Sequence, residues 1–162
     1  MQTKKINNEV FYIKDNISFF DKKMFNFLIS HSKKNLSGKC RICFHKNPKS
    51  SLHEMIIIHS KKSYVPPHKH LKNAESLNVI SGSADLLIFD NKGNIKKKIL
   101  ISNKKKGVRF YRMRKLTYHS LIIKSDYFIF QEVTKGPFLK KNMKIPPWEK
   151  VYKKRYFKWK MY

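Results

Sequence analysis

The sequence predicts an all-β domain, a sandwich or small barrel, with one short helix near its N-terminus. Three observations carry this. Short apolar runs recur at near-regular spacing from Arg41 to Val133. Clusters of Gly, Asn, Asp, Ser and Lys separate them, the residues that turns require. No helical period interrupts the succession, which excludes a parallel sheet built from strand–helix–strand units.

The elements follow in order. Residues up to Ile13 alternate apolar and polar, as an edge strand does. From Asn16 the period changes, and Phe20, Met24, Phe27 and Leu28 fall on one helical stripe. Ser18 with Asp21 offers a start resembling a capping box, and Asn35 with Gly38 marks an end, giving a helix from about Ser18 to Ser32. Glu54–His59 reads as a strand. Leu77–Ile80 and Leu86–Phe89, flanking Ser81-Gly82-Ser83, read as a tight hairpin. Asp90-Asn-Lys-Gly93 is a turn. Strands follow at Ile95–Ile101, Val108–Tyr111, Tyr118–Ile123 and Tyr127–Val133. The final stretch, Val151 to Tyr162, interleaves basic and aromatic residues without a convincing helical stripe, which fits a tail packed on the barrel or left disordered. The organisation read is therefore an N-terminal extension over 1–37, a barrel over 38–149 and a basic-aromatic tail over 150–162.

With 162 residues, 41% of them apolar, the chain is long enough for one sizeable core. It carries 37 Lys and Arg against 10 Asp and Glu, a net charge of +27. That excess invites nucleic acid as a partner. Most of it is Lys rather than Arg, and Arg leads in base and phosphate recognition, so a solvated basic surface is the preferred reading. The apolar runs are too short to cross a bilayer. No secretory signal is visible, and the cytoplasm is the expected compartment. Two cysteines, Cys40 and Cys43, form C-x-x-C. No second pair completes a zinc ribbon, so reduced structural thiols are expected.

The chemistry concentrates in His68-Lys-His70-Leu-Lys-Asn-Ala-Glu75, with Gly82 beyond it. Histidines one residue apart on a strand point to one side. Imidazole and carboxylate are the donors a borderline divalent metal takes. The spacing looks like three ligands on one hairpin, and His119 on a later strand can close the set from across a barrel.

Pro67-His68-x-His70-x-x-x-x-Glu75-x-x-x-x-x-x-Gly82 resembles the first motif of the cupin superfamily, with His119 where the second motif places its histidine. The resemblance implies a jelly-roll barrel holding one metal on three His and one Glu. Fe, Mn, Ni, Co and Zn all occur in that superfamily. Arg41-Ile-Cys43-Phe-His45, Glu54-Met55, Ser63-Tyr64, Glu75-Ser76, Phe89-Asp90, Glu132-Val133, Gly136-Pro137-Phe138 and Pro147-Trp148 together resemble the WbuC-type cupin fold metalloproteins, over about residues 20–149. That resemblance implies a setting among O-antigen and capsule genes more firmly than it implies a reaction. One departure stands out. Cupins place a Pro and a Gly before the last histidine, whereas Tyr111-Arg-Met-Arg-Lys-Leu-Thr-Tyr-His119 has neither.

The expected protein is an all-β cupin jelly roll with a short N-terminal helix and one divalent metal on His68, His70, Glu75 and His119. Four protein ligands leave an open position if the ion is five- or six-coordinate, which suits Fe, Mn, Co or Ni better than tetrahedral Zn. The expected ligand is a small molecule, a sugar or nucleotide-sugar of surface polysaccharide assembly. The reaction class is open among isomerase, epimerase and oxygenase-like chemistry. Glu132 and Glu54 are candidate proton carriers, or structural partners of Arg41, Arg109 or a lysine. Arg41 and His45 can hold an anionic group or form a buried polar network. Tyr64 can line the pocket or simply pack, and Trp148 can close the mouth or cap the core. The alternatives are a metal-stabilised binding module without catalysis and a polyanion-binding basic surface. A homodimer is compatible with the sequence, which fixes no interface.

Overall fold

The computed structural model describes residues 2–114 and 116–160, and the side chains through Phe157. Lys115, Met161 and Tyr162, parts of the stretch before His119 and of the C-terminal tail, lie outside the described residues. The elements are β1 (Thr3–Lys5), β2 (Val10–Ile13), α1 (Lys22–Lys34), β3 (Lys39–Cys43), β4 (Leu52–Ser60), β5 (Lys69–His70), β6 (Glu75–Ser81), β7 (Ser83–Phe89), β8 (Ile95–Ser102), β9 (Phe110–Met113), β10 (Tyr118–Ile123), β11 (Tyr127–Lys135), β12 (Met143–Lys144) and α2 (Glu149–Lys160).

One large sheet runs β1-β2-β3-β4-β11-β6-β9, facing a smaller one ordered β10-β7-β8, while β12 pairs with β5. Only β2 and β3 pair in parallel among these named strands. The barrel interior is filled by alternate residues of both sheets. Met55 and Ile57 come from β4, Leu77 and Val79 from β6, Ala84 and Leu86 from β7, Leu121 and Ile123 from β10, and Phe128 and Phe130 from β11. The other face of β4 is buried too, because Ile56 and Ile58 pack under α1 with Met24 and Leu28. Burial on both faces explains the unbroken Met-Ile-Ile-Ile run of β4.

Four expectations change. The helix starts later: Asp21, not Ser18, is the N-cap, and its side chain accepts from the Met24 N–H at 2.8 Å. The N-terminal edge is a two-stranded hairpin rather than one strand. Leu77–Ile80 and Leu86–Phe89 are not a hairpin. β6 lies between β11 and β9, and β7 between β10 and β8. Gly82, at φ +86°, turns the chain from one sheet to the other, and a Cβ there would lie 2.1 Å from the Tyr127 carbonyl oxygen. Lastly, the C-terminal stretch is helical through Lys160. α2 lays Tyr152 and Tyr156 on Leu87, Phe89 and Tyr118 of the small sheet. No helix among the described residues is long and apolar enough to cross a membrane.

Candidate metal centre

His68, His70, Glu75 and His119 converge, each offering one donor atom, with all four donors within 4.8 Å of one another. Pro66-Pro67 leads the chain inward, and the buried Ser120 hydroxyl donates to the Val65 carbonyl at 2.6 Å. His68 and His119 are then bridged backbone to backbone, at 3.0 and 2.9 Å. His70 sits on β5, which pairs with β12 and not with β6, so the ligands do not share a hairpin. Glu75 begins β6 and points inward with Leu77 and Val79, following the strand alternation.

Without Pro or Gly before His119, the turn is made by Leu116, whose φ is +71°. Its N–H donates to the His70 carbonyl at 2.8 Å, which ties this turn to the ligand strand.

The donor set fits a cation. His68 Nδ1 lies 2.9 Å from the Pro66 carbonyl and His119 Nδ1 lies 3.0 Å from that of Thr117. A carbonyl only accepts, so both Nδ1 atoms donate, and each neutral ring turns an Nε2 lone pair inward. His119 Nε2 stands 3.1 Å from Glu75 Oε1, and His70 Nε2 stands 3.0 Å from Oε2. A lone pair facing a carboxylate requires a positive charge between or upon them, either a proton or a metal ion. Locking Nδ1 on a carbonyl is how proteins orient metal-binding imidazoles.

The electrostatics agree. Burial opposes ionisation of Glu75, but His119 and His70 outweigh it and hold the carboxyl well below its ordinary range. Burial likewise disfavours charge on His119, and Glu75 overcomes it, raising the imidazole. For His68, burial and then the neighbouring His119 push the value down to about 4. The Tyr111 hydroxyl, raised by burial and by Glu75, donates to Glu75 Oε1 at 3.1 Å.

The cluster lines a cavity of about 350 Å³ whose wall includes Arg41, His59, Phe130 and Glu132. Glu132 points inward from β11, two residues after Phe130. Burial first and Glu75 second push its carboxyl up to about 7. A second cavity of about 300 Å³ shares Arg41, His70, Glu132, Phe138 and Met143 with the first. His45 lines this second space. Its ring stacks on His53, centroids 4.0 Å apart, and burial lowers its pKa.

Two candidates lie elsewhere. Glu54 is on the face of β4 that carries Ile56 and Ile58, away from the cavities, and accepts from Gln131 Nε2 at 2.6 Å. Tyr64 is outside the barrel against α2, donating to Glu149 Oε1 at 2.6 Å. Trp148 packs near it on Phe89 and Tyr118, capping this outer cluster rather than the cavity mouth. Cys43 faces the barrel interior and Cys40 faces α1, both as buried free thiols raised by burial to about 11 and about 12. Tyr111, Lys39 and His59 were missed from the sequence. Their one signal is strand parity: Tyr111 shares a face with Met113, Lys39 with Arg41, and His59 with Ile57.

The profile of a family described as a domain of unknown function, DUF6016, matches residues 20–101. No curated protein matches the sequence. Among solved structures, protein SO0799 of Shewanella oneidensis is similar at 7% identity and a TM-score of 0.58, covering 76% of this chain and 85% of that one. Oxalate decarboxylase of Bacillus subtilis is similar at 19% identity and a TM-score of 0.50, covering 66% of this chain. Procruciferin of Brassica napus reaches 15% identity and a TM-score of 0.46 over 59% of this chain. The chain spans 27% of the length of the decarboxylase and 22% of that of procruciferin. The first two of these likenesses, with the two facing sheets, show the fold: a cupin-type jelly roll.

Proposed function

Since this chain belongs to the DUF6016 family, whose description assigns no activity, we propose from its site a function as a cupin metalloprotein acting on a small sugar-like ligand. His68, His70, Glu75 and His119 hold one divalent cation. The observation that carries this is the pair of Nδ1–carbonyl hydrogen bonds, which turn the Nε2 atoms of His68 and His119 inward beside a buried carboxylate.

A divalent ion in that place supplies Lewis-acid polarisation of a carbonyl or hydroxyl oxygen. Glu132 moves the proton. Burial and the neighbouring Glu75 raise its carboxyl above the ordinary range, the direction that suits a group taking and returning a proton. Tyr111 holds Glu75 in place by donating to Oε1. Arg41 lies in both cavity walls and orients the ligand across them. The first cavity suits a monosaccharide, and the two together give room for a nucleotide-sugar. The surface-polysaccharide setting rests on the resemblance to WbuC-type proteins carried by the motif string.

Metal content tests this reading. Protein purified without a histidine tag should carry about one divalent ion per chain by elemental analysis. His68→Ala and His119→Ala should each lose most of it. Unchanged metal content in both variants, with folding intact by circular dichroism, would sink the proposal. Glu132→Gln should keep the metal and lose turnover.

A further inference from the structure

The cavity holds a second group of polar side chains on the large sheet. Lys39 and Arg41 are two apart on β3 and share its inward face with Cys43. Lys39 lies directly across from His59 on β4. Lys39, Arg41 and His59 all line the cavity that contains the metal cluster. Neither Lys39 nor Arg41 makes an ion pair with a carboxylate among the described residues. His59 is more singular. It is 9% exposed, its Nδ1 is enclosed without a hydrogen-bond partner, and the residue lines the cavity. An enclosed ring nitrogen without a partner is costly, so such an atom needs a reason. Burial, with Lys39 and Arg41 beside it, keeps the ring neutral, its pKa lowered to about 3.

We propose that Lys39, Arg41 and His59 form an oxyanion subsite in the same cavity as the metal cluster, so that the natural ligand is a small anionic molecule bearing a carboxylate or a phosphate. This rests on the metalloprotein reading and narrows its ligand class. Arg41 offers a planar fork matched to two oxygens, and Lys39 offers a point charge. A neutral His59 donates one N–H to a third oxygen. Glu9 is the opposing charge at this end. It accepts from the Ser37 hydroxyl and lines the same wall. Glu132 also faces Arg41 from β11 in this cavity, so the case for an anion rests on the fork of Arg41, the point charge of Lys39 and the unpartnered ring of His59, and not on net charge. Glu75 and the ion it binds occupy the other end, so the ligand's anionic and reacting groups sit apart.

Calorimetric titration of the metal-loaded full chain with glucuronate, glucose 6-phosphate and glucose tests the assignment. One of the two anions should bind at least ten-fold more tightly than glucose, and which one does identifies carboxylate or phosphate. Lys39→Met/Arg41→Met should lose at least ten-fold in that affinity, and His59→Phe several-fold. Lys105→Met/Lys106→Met, on an exposed loop, should lose nothing beyond a small salt-dependent change. Equal binding of glucose and both anions, or equal losses in the two lysine-containing variants, would overturn the subsite. So would undiminished binding by both Lys39→Met/Arg41→Met and His59→Phe. If the double variant fails to fold, His59→Phe and Lys39→Met alone decide. His68→Ala, titrated in parallel, separates the two ideas. Metal lost with anion preference kept supports both, and metal retained with preference kept defeats the metal reading while leaving the subsite standing.

Discussion

Tyr111 on β9 donates its hydroxyl to Oε1 of Glu75 on β6 across 3.1 Å. The same oxygen faces His119 Nε2. Tyr111 thus fixes the carboxylate through the oxygen that it shares with His119. Removing the hydroxyl should cost about ten-fold in metal affinity, the lower end for losing an outer partner of a ligand. Chelator competition on Tyr111→Phe measures it; affinity equal to the parent's would remove Tyr111 from the site.

The metal-free protein should lose stability in mild acid for a reason separable from its carboxylates. His59 and His68 have folded values lowered to about 3 and about 4 from 6.5. Below pH 6.5 the unfolded chain takes up protons that the folded chain refuses. Each such group therefore removes up to about 1.4 kcal/mol per pH unit until its folded value is reached. Glu75 and His119 run differently. The lowered Glu75 contributes stability above its unfolded value of 4.5, lost as pH falls through the folded one. The raised His119 contributes fully below 6.5, lost as pH rises through its folded value. Urea melts of the chelated protein at pH 7 and pH 5 should show the fall, and His59→Phe should flatten it.

The C-terminal helix should be integral to stability. Tyr156 is fully buried, and its hydroxyl donates to the Ser63 carbonyl at 2.9 Å. Tyr156→Ala should cost about 3–5 kcal/mol, as other large aromatic truncations do. Tyr156→Phe should cost about 1–3 kcal/mol, through the orphaned carbonyl. A loss under about 1 kcal/mol for the alanine variant in urea would mean that α2 is only loosely docked.

Leu116 holds a left-handed backbone at φ +71° with its side chain 55% exposed. That conformation costs a non-glycine residue about 1–2 kcal/mol, and glycine's extra freedom when unfolded returns part of the difference. Leu116→Gly should gain about 0.5–1 kcal/mol, read as a rise of roughly 1–4 °C in Tm. A fall in Tm would show that the leucine side chain contributes packing that its exposure hides.

The convergence of the three histidines and Glu75 was legible because its signal is local. His68, His70 and Glu75 lie within one short string, and His119 stands near the start of an apolar strand. The strands were legible for the same reason. What failed was non-local. Leu77–Ile80 and Leu86–Phe89 announce a turn at Gly82, but whether flanking strands pair or part is decided by β11 and β10, far away in sequence. Glu54 and Glu132 are indistinguishable carboxylates in apolar runs. Both faces of their strands are buried, so alternation cannot say which faces the cavity, and only the register of β4 with β11 separates them. α2 was hidden because the side chains it buries are tyrosines set among lysines, which blur the stripe that a leucine-rich face would show.

His70, Glu75 and His119 belong to three different sheets. An ion gripped by all three draws segments distant along the chain into one mechanical unit at the barrel's rim. Metal shortage would therefore be felt first as a slackened rim open to proteases, with the rest of the barrel still folded.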